Sequence, residues 1–516
     1  MFKKFFIFSI CVLGLFVYLF ALKAIPGNIT SQSNEIHLRS YDTVLPFELS
    51  GSRSSFATLL AIQEQKQFNL TIDEADFAAP DTGYYGGKIY SFFPPGVALI
   101  GLPLYNLGLK FGLSLAFAYF SISILSVISL WLLYKISHQI FILPFWASIF
   151  AVILSGFASH YFNFSISFYQ QIPSAFLILL SFYSVWKYRQ RTSYSWLWGV
   201  VVWSCYGIGP FITYPNLILQ LPIMFYFLAS SIQVYSTEQK INFNFRWSFA
   251  LTAIVVVILG GAHMVYNQKN FGQWKRFSNT LATYDPNKTG RTLVDLEKSD
   301  VKAIADKKDQ VANIFKEGNL PHGLYVELFD FDKSMMMHNP FFIFAIFGLF
   351  LLIKNRNSIE LKTAIGLVCV NLFVYASFGD PWGGWSYGPR YLVPTIPFFA
   401  IFFAYWASQP KYCVLRRLLA LIFYIYGSGV ALLGALGRSI TPPRIEAIPA
   451  NLPRTYLANI QFIQKGMNGT FMYNTYFPEK ISLVEYYFIF WGILILLGII
   501  VLLILPSSLS HDNINK

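Results

Sequence analysis

Long apolar runs dominate this sequence and constrain its fold more than any other feature. About twelve of them are long enough, or nearly so, to form helices that span a membrane. The predicted spans are residues 3–22, 114–134, 141–157, 164–186, 195–211, 214–232, 247–266, 340–353, 362–378, 391–408, 415–437 and 482–505.

The composition supports the same fold class. With 55% hydrophobic and 12% charged residues, the chain is too apolar for a soluble globular protein, and we predict an all-α polytopic membrane protein. The net charge of +13 does not indicate nucleic-acid binding, because no basic cluster is interleaved with a soluble fold. The cysteines lie in or near apolar runs, so no disulfide framework is implied. They are Cys11, Cys205, Cys369 and Cys413.

The first apolar run has two interpretations. It follows Lys3 and Lys4, so it could be a signal peptide that ends near Ala24. We favour an uncleaved anchor, because the run is long enough to span and because keeping it makes the charges of the later loops consistent.

Lysine and arginine residues of the short loops predict the orientation. They concentrate on one side of the predicted helices, whereas the short loops of the other side carry only Arg390. This is the positive-inside bias, and it predicts cytoplasmic termini and outward-facing loops 23–113, 267–339 and 438–481. We divide the chain into a transmembrane catalytic module, residues 1–440, and an outer loop with a final transmembrane helix, residues 441–516.

The first outer loop is the most polar part of the chain. It is about 70 residues long and rich in carboxylates, which is too long for a simple connector. Within it, residues 53–67 show helical spacing and predict an amphipathic helix on the membrane surface, capped by Ser50 or Ser52. Residues 94–112 predict a helix at the outer surface. In the second outer loop, residues 293–316 predict another amphipathic helix.

A second outward stretch, residues 379–391, combines glycines with aromatic residues and one cation. An arginine at the mouth of a span needs an anion, so Arg390 predicts a partner such as Asp380, a loop carboxylate or a phosphate. A guanidinium can bind phosphate in a bidentate manner, and the aromatic rings suit sugars or lipid tails. The alternative is an interfacial aromatic belt with an arginine anchor.

At these residues the chain resembles a known family. The first loop ends in Tyr-Gly-Gly-Lys-Ile-Tyr-Ser-Phe-Phe-Pro-Pro-Gly, residues 85–96, and later come Gly323-Leu-Tyr, His338-Asn-Pro-Phe-Phe and Trp382-Gly-Gly-Trp-Ser-Tyr-Gly-Pro-Arg-Tyr-Leu-Val-Pro. This order is similar to the GT-C superfamily of membrane glycosyltransferases. It most resembles the bacterial protein-mannosyltransferase and aminoarabinose-transferase-like branch, which uses polyprenyl-phosphate sugars.

The resemblance implies roles for particular residues. The family's first loop supplies an aspartate as general base, but the matching position, near Arg53, holds no aspartate. Asp42 is therefore our first candidate and Asp81 the second. Lys88 and Arg390 are candidates for binding the donor phosphate. Arg53 is a weaker one, since it could pair with Glu48.

The candidate substrate-binding residues are the aromatics of the two outward stretches. They are Tyr85, Trp382, Trp385 and Tyr387.

No cofactor is indicated. The histidines show no metal-binding spacing, and no nucleotide fingerprint is present. The acidic cluster of Asp73, Glu74 and Asp76 could hold a divalent cation, although a solvated turn is the commoner outcome. A requirement for a divalent metal therefore stays open.

The resemblance implies an inverting glycosyltransferase in the inner membrane of a bacterium. Its expected partners are a polyprenyl-phosphate sugar donor, a glycan, lipid or protein acceptor and membrane lipids, without nucleic acid. Two alternatives remain: a transporter or flippase of lipid-linked glycans, and an O-antigen polymerase or ligase. Against the transporter, the sequence shows no pair of matching spans broken by glycine or proline. The second would place its centre in a later outer loop.

Overall fold

The computed structural model describes residues 2–37, 46–237, 240–284, 315, 317–442, 447–449 and 451–505, and most of them are helical. Its helices up to residue 271 are Phe2–Ala21, Asn34–His37, Ser50–Leu60, Ile72–Ala78, Gly96–Leu109, Ser114–Lys135, Phe145–Phe157, Tyr161–Ser165, Gln171–Arg189, Ser195–Ile212, Asn216–Leu219, Leu221–Ser231, Ser248–Thr252 and Ile254–Phe271. The later ones are Leu320–Leu328, Met335–His338, Phe342–Asn355, Ile359–Ala376, Ile396–Ala407, Cys413–Leu436, Leu457–Gln464, Phe471–Tyr476 and Leu483–Ile499.

Seven helical segments of the described residues are long and apolar enough to cross a membrane. They are Ser114–Ile140, Ser195–Ile212, Ser248–Phe271, Ile359–Ala376, Arg390–Ala407, Cys413–Leu436 and Leu483–Ile504. The chain is therefore an integral membrane protein. Helices also occur at the other predicted apolar runs, but about twelve crossings and the orientation of the termini stay predictions. The largest displacement is in the run 164–186, whose helix begins at Gln171, after the separate short helix Tyr161–Ser165.

Most described residues are helical as predicted, but strands depart from the all-α prediction, because parts of the first and second long loops form a small sheet. Strands β1 (Thr82–Tyr85) and β2 (Lys88–Ser91) form a hairpin, and β5 (Ala282–Tyr284) of the second loop pairs with β1. Gly86 and Gly87 form the turn with φ of +59° and +82°, which glycine adopts at little cost. A further hairpin joins β3 (Ile232–Thr237) to β4 (Lys240–Phe245).

The helix predicted from residue 53 is not a surface helix. It begins at Ser50, ends at Leu60 and continues as a π-helical turn to Gln65. Residues 51–60 are all buried, so this helix is part of the packed core beneath the sheet and not an amphipathic cover. The predicted caps were also wrong, because Leu49 occupies the N-cap position without a side-chain hydrogen bond.

The two other predicted loop helices have different outcomes. Residues 94–112 contain the helix Gly96–Leu109, which contacts the buried helix Ser50–Leu60 where Gly101 lies against Leu59. Its position at the outer surface of the membrane stays a prediction. The helix predicted at 293–316 falls outside the described residues, apart from Phe315.

The first and last parts of the chain pack together. Tyr486 of the final helix donates a hydrogen bond to the carbonyl oxygen of Phe20, 3.0 Å away. The backbone N–H of Phe471 bonds to the carbonyl of Leu22 at 2.8 Å. Residues beyond 440 therefore pack against the first helix and the residue that follows it.

Buried charges connect the first and third long loops. Glu48 accepts a hydrogen bond from Arg438 Nε at 2.8 Å and another from the backbone N–H of Ser439. Lys23 is 2% exposed and donates to the carbonyl oxygen of Gly437. Burial and Arg438 lower the pKa of Lys23 to about 8, while Glu48 opposes this shift. The described partner of Glu48 is thus Arg438, where the sequence suggested Arg53.

Candidate active site

Arg390 is the centre of the candidate site. It begins a 3-10 turn, Arg390–Thr395, that leads into the helix Ile396–Ala407. Its two terminal nitrogens donate to the hydroxyl oxygens of Tyr169, at 3.1 Å, and Tyr391, at 2.9 Å. The guanidinium carbon also lies 4.7 Å from the ring centre of Tyr391, which is a cation–π distance. Nε is buried without a hydrogen-bond partner among the described residues, so the guanidinium retains a donor.

Tyr169 brings Arg390 together with the first long loop. This tyrosine is 2% exposed and follows the short helix Tyr161–Ser165. Its ring lies directly on Gly51, because a Cβ added at that glycine would be 2.0 Å from a ring carbon. The ring of Phe93, from the end of the first loop, packs edge-on at 5.7 Å. The sequence reading missed Tyr169, which has no motif around it.

Asp81 lies in the same region and is held at both ends. Its backbone carbonyl accepts hydrogen bonds from the N–H of Phe92, at 2.9 Å, and the hydroxyl of Ser54, at 3.0 Å. Its carboxyl group interacts with the Ser50 hydroxyl and, electrostatically, with Arg390. Burial raises the pKa of Asp81 above that of a free aspartic acid, although Ser50 and the two arginines, Arg390 and Arg53, partly offset the shift.

The glycine-rich turn before Arg390 determines where its side chain runs. Gly383 has φ of +71°, and a Cβ there would lie 2.8 Å from Arg390 Nε. Lys333, 1% exposed, donates to the carbonyl oxygen of Gly384 and so fixes this turn. Asp380, at the start of the turn, interacts electrostatically with Arg390. The anion that the sequence required for Arg390 therefore includes Asp380.

Two buried histidines support the other end of this stretch. Gly388 has φ of +66°, and a Cβ there would be 3.2 Å from His160 and 3.3 Å from His338. Burial lowers the pKa of His160 to about 4 and that of His338 to about 3. Both imidazoles are therefore neutral at physiological pH, and His160 Nδ1 lies 2.7 Å from the amide nitrogen of Asn339. The two histidines therefore support the backbone that leads to Arg390.

Lys88 and Tyr85 lie at the tip of the hairpin, whereas Asp81 directly precedes its base. Tyr85 and Lys88 are paired at the last register position of β1 and β2, three positions from the pair Thr82 and Ser91 at the base. At about 3.4 Å per residue the tip is roughly 10 Å from the base. Lys88 is exposed, and Tyr85 packs on Arg276, whose guanidinium carbon is 4.9 Å from the ring centre. No described contact joins either residue to Arg390.

The three aromatics of residues 382–387 occupy different surroundings. Trp382 packs edge-on against His322 at 5.1 Å, and Trp385 is 36% exposed. Tyr387 is 1% exposed and donates its hydroxyl hydrogen to the carbonyl oxygen of Val430. Its place is therefore inside the protein. The two tryptophans are the better placed to meet a ligand.

Arg53 and Asp42 complete the predicted set. Arg53 is 5% exposed and donates to the carbonyl oxygen of Ala79 at 2.9 Å. It supports the backbone just before Asp81, and it lies close enough to lower the pKa of that carboxyl. Asp42 lies outside the described residues, so its role stays a prediction.

The acidic cluster of the first loop has other partners. Glu74 forms a capping box with Thr71, and Asp76 lies 3.2 Å from the hydroxyl of Tyr284. Asp73 is 3.5 Å from His37. Across the described ranges, no group of three or more histidine, cysteine or acidic side chains is arranged to hold a metal ion. Whether a metal takes part stays a prediction.

The assembled site can bind an anion and accept a proton. Arg390 is held by two tyrosine hydroxyls, and its Nε has no hydrogen-bond partner among the described residues, so the guanidinium can donate to a phosphate oxygen. Asp81 is a carboxylate in surroundings that raise its pKa, which makes it a stronger base than an exposed aspartate. Both groups contact or lie near Tyr169, so they share one site.

The fold has relatives among solved structures. The chain is similar to ArnT from Cupriavidus metallidurans in the apo state, with 11% identity, a TM-score of 0.51 and coverage of 97% of this chain and 77% of that one. It is also similar to the archaeal oligosaccharyltransferase AglB from Archaeoglobus fulgidus in complex with an inhibitory peptide and a dolichol-phosphate, with 14% identity, a TM-score of 0.47 and coverage of 94% and 60%. By sequence, no family model and no curated protein matches the chain.

The chain has the GT-C fold. ArnT is a GT-C glycosyltransferase, and the structural similarity to it extends over 97% of this chain. The family resemblance inferred from the short motifs is therefore confirmed at the level of the fold.

Proposed function

We propose that the protein is a membrane glycosyltransferase that transfers a sugar from a polyprenyl-phosphate donor to an acceptor on the outer face of the membrane. One observation carries the proposal: Arg390, whose Nε has no hydrogen-bond partner among the described residues, and the half-buried Asp81 lie in one site around Tyr169. The GT-C fold, which the chain shares with ArnT, supports it.

Arg390 is assigned to the phosphate of the donor. A guanidinium fixed by Tyr169 and Tyr391 does not need to reorganise when charge develops on the departing phosphate, so it stabilises the transition state. Lys88 lies at the hairpin tip, roughly 10 Å from the end that Asp81 precedes, so we assign the phosphate to Arg390 and not to Lys88. Trp382 and Trp385 are assigned to contacts with the sugar.

The reaction is a single inverting displacement. The hydroxyl oxygen of the acceptor attacks the anomeric carbon, its proton moves to an aspartate, and the bond between that carbon and the phosphate oxygen breaks. Polyprenyl phosphate leaves with the bonding electron pair. Of the two candidate bases, Asp81 is the one whose surroundings are described. We assign the base to Asp81 and keep Asp42 as the alternative.

The experiment compares four proteins in liposomes: wild type, Asp81→Asn, Asp42→Asn and Arg390→Gln. Each receives a panel of polyprenyl-phosphate monosaccharides together with a cell-envelope extract as the source of acceptors. Because polyprenyl phosphate is released whatever the sugar or acceptor, its release reports on transfer in all cases.

Loss of release in Asp81→Asn, with binding of polyprenyl phosphate retained, supports the assigned base. Loss only in Asp42→Asn moves the base to Asp42. Arg390→Gln is expected to weaken binding of polyprenyl phosphate. If the wild type moves a labelled lipid-linked sugar across the bilayer without releasing polyprenyl phosphate, the protein is a transporter and the proposal is wrong.

A further inference from the structure

Residues 320–341 have their apolar side chains outside and their charges inside. The structure describes all of these residues, and the exposed ones are Pro321, His322, Tyr325, Phe329, Phe331 and Met336. The last four are 40–54% exposed, whereas none of the acids and lysines of this segment is exposed. A segment that faces water shows the opposite arrangement, because charged groups are costly to bury.

The buried charges of the segment are bound to other parts of the protein. Asp332 accepts a hydrogen bond from Arg454 Nε, 2.6 Å away. Its neighbour Lys333 donates to the carbonyl oxygen of Gly384. The polar side of the segment therefore faces the protein interior, and its apolar side faces outward.

The helix Leu320–Leu328 has two different faces. Gly323 and Glu327, one turn apart, are buried. Tyr325 and Phe329, also one turn apart, are exposed on the opposite side. An exposed aromatic face of this kind is typical of a helix that lies at the boundary between lipid and water.

This helix packs at the end of a membrane span. A Cβ at Gly323 would lie 1.9 Å from the carbonyl oxygen of Ala376, the last residue of the span Ile359–Ala376. Phe373, three residues earlier in the same span, is 52% exposed. In an integral membrane protein the exposed apolar side chains of a span contact lipid. The helix therefore lies at the level where this span leaves the lipid.

The residues that follow lie deeper. Phe342 begins the helix Phe342–Asn355 and packs edge-on against Phe399, with ring centres 5.1 Å apart. Phe399 is in the middle of the span Arg390–Ala407. The helix Phe342–Asn355 is 14 residues long, about 21 Å, which is less than the roughly 30 Å of a lipid core. It therefore begins inside the membrane and not at its edge.

A second contact gives a similar depth. The hydroxyl of Tyr426 lies 3.5 Å from the carbonyl oxygen of Met337. Tyr426 is ten residues, about 15 Å, from the end of the span Cys413–Leu436 that is nearer to Arg390 in the chain fold. Met336, the neighbour of Met337, is therefore exposed at a level where the surroundings of a span are lipid.

We propose that residues 320–341 are inserted in the membrane leaflet on the side of Arg390, with Phe329 at its boundary and Met336 among the acyl chains. The partner of this surface is the membrane lipid itself. The inference does not depend on the proposed reaction. Because Lys333 of the same segment holds the turn beside Arg390, the segment connects the lipid layer to the candidate site.

Spin labels measure the depth in a chain whose four native cysteines have been replaced. Labels are attached to Phe329→Cys and Met336→Cys in liposomes. Phe373→Cys is the control for a side chain in lipid, and Lys88→Cys is the control for a side chain in water. Relaxation by oxygen, which concentrates in lipid, is compared with relaxation by a water-soluble nickel chelate. The Met336→Cys label should lose contact with the chelate as the Phe373→Cys label does, and the Phe329→Cys label should be intermediate.

Cross-linking of the wild-type protein is an independent measurement. The liposomes contain a phospholipid with a photoreactive diazirine in its acyl chain. Illumination should attach lipid to peptides from residues 320–341 as well as to peptides from the span Ile359–Ala376, and mass spectrometry identifies both. Because no residue is changed, misfolding of a variant cannot produce this result.

Three outcomes would overturn the inference. If the labels at Phe329→Cys and Met336→Cys contact the chelate as much as the Lys88→Cys label, the segment faces water. If they are shielded from both oxygen and the chelate, the surface is covered by protein, either another part of this chain or a second copy. Wild-type protein that carries lipid adducts on the span but none on residues 320–341 also contradicts contact with lipid.

Discussion

A single methyl group added at Gly383 should displace the side chain of Arg390 while leaving the arginine itself in the sequence. At this glycine, with φ of +71°, an added Cβ would lie 2.8 Å from Nε, 2.9 Å from Cγ and 3.0 Å from Cδ of Arg390. The neighbouring Gly384 has a similar φ of +61°, but its Cβ would find only Asp380 Oδ2, at 3.8 Å. Gly383→Ala must therefore displace the arginine, whereas Gly384→Ala need not.

The two variants share one cost and differ in another. Each places alanine in left-handed backbone, which costs about 1–2 kcal/mol of folding free energy. Only Gly383→Ala also loses the aligned guanidinium, and a hydrogen bond to a charged group contributes about 1.5–3 kcal/mol. If that bond is made to the donor phosphate, kcat/KM should fall roughly 10- to 150-fold in Gly383→Ala. Gly384→Ala should keep most of its activity.

The assay measures release of polyprenyl phosphate at several donor concentrations, and a parallel titration measures binding of polyprenyl phosphate. Thermal unfolding in detergent checks that the two variants are equally stable. Gly383→Ala should lose both binding and kcat/KM.

Equal activity in the two variants would refute the reasoning, because it would mean that Arg390 needs no defined position. Equal loss of activity, in step with equal loss of stability, would also refute it. In that case the turn would act through folding and not through the guanidinium.

Three further predictions follow from particular contacts. Ser50→Ala removes a hydrogen bond that lowers the pKa of Asp81, so this pKa should rise. Because the base is protonated as the pH falls through its pKa, the acidic limb of the pH profile of kcat/KM should move to higher pH. An acidic limb that does not move would exclude Asp81 as the base. Arg438→Met removes the arginine from a buried ion pair and leaves the Glu48 carboxylate without it. Denaturation experiments should show a free energy of unfolding lower by about 3–5 kcal/mol, and adding Glu48→Gln should restore part of that loss. Tyr387→Phe should cost about 1 kcal/mol of stability and leave kcat/KM unchanged; a fall in kcat/KM at unchanged stability would instead place this tyrosine on the substrate.

The helices of the bundle could be predicted from the sequence because membrane insertion is decided locally. A run of apolar residues must satisfy its own backbone hydrogen bonds as a helix, so hydropathy alone locates it. The predicted run 195–211 and the helix Ser195–Ile212 agree within a residue. The structure of the first long loop was harder to predict from the sequence. Its helix Ser50–Leu60 is buried, but the serines and the arginine in it are residues typical of a surface.

Single residues of the candidate site could be proposed from the sequence when their chemistry made them conspicuous. Arg390 was proposed because an arginine beside an apolar run requires a partner, and Asp380, named with it, does interact with it electrostatically. Asp81 was proposed as an acid of the first loop, and its role as a base stays a prediction. The hairpin around Lys88 was missed, although Gly86 and Gly87 between β-forming residues indicate a tight turn.

The sequence by itself determined that this chain is an integral membrane protein built mostly of helices, since those properties depend on neighbours along the chain. Only the tertiary structure decided which polar residues meet. Tyr169, with no motif of its own, joins Gly51 of the first loop to Arg390, more than two hundred positions later. Glu327 reads as an ordinary surface acid until its helix, Leu320–Leu328, packs on Ala376 and buries it. Such contacts depend on the packing of distant segments, which local periodicity does not encode.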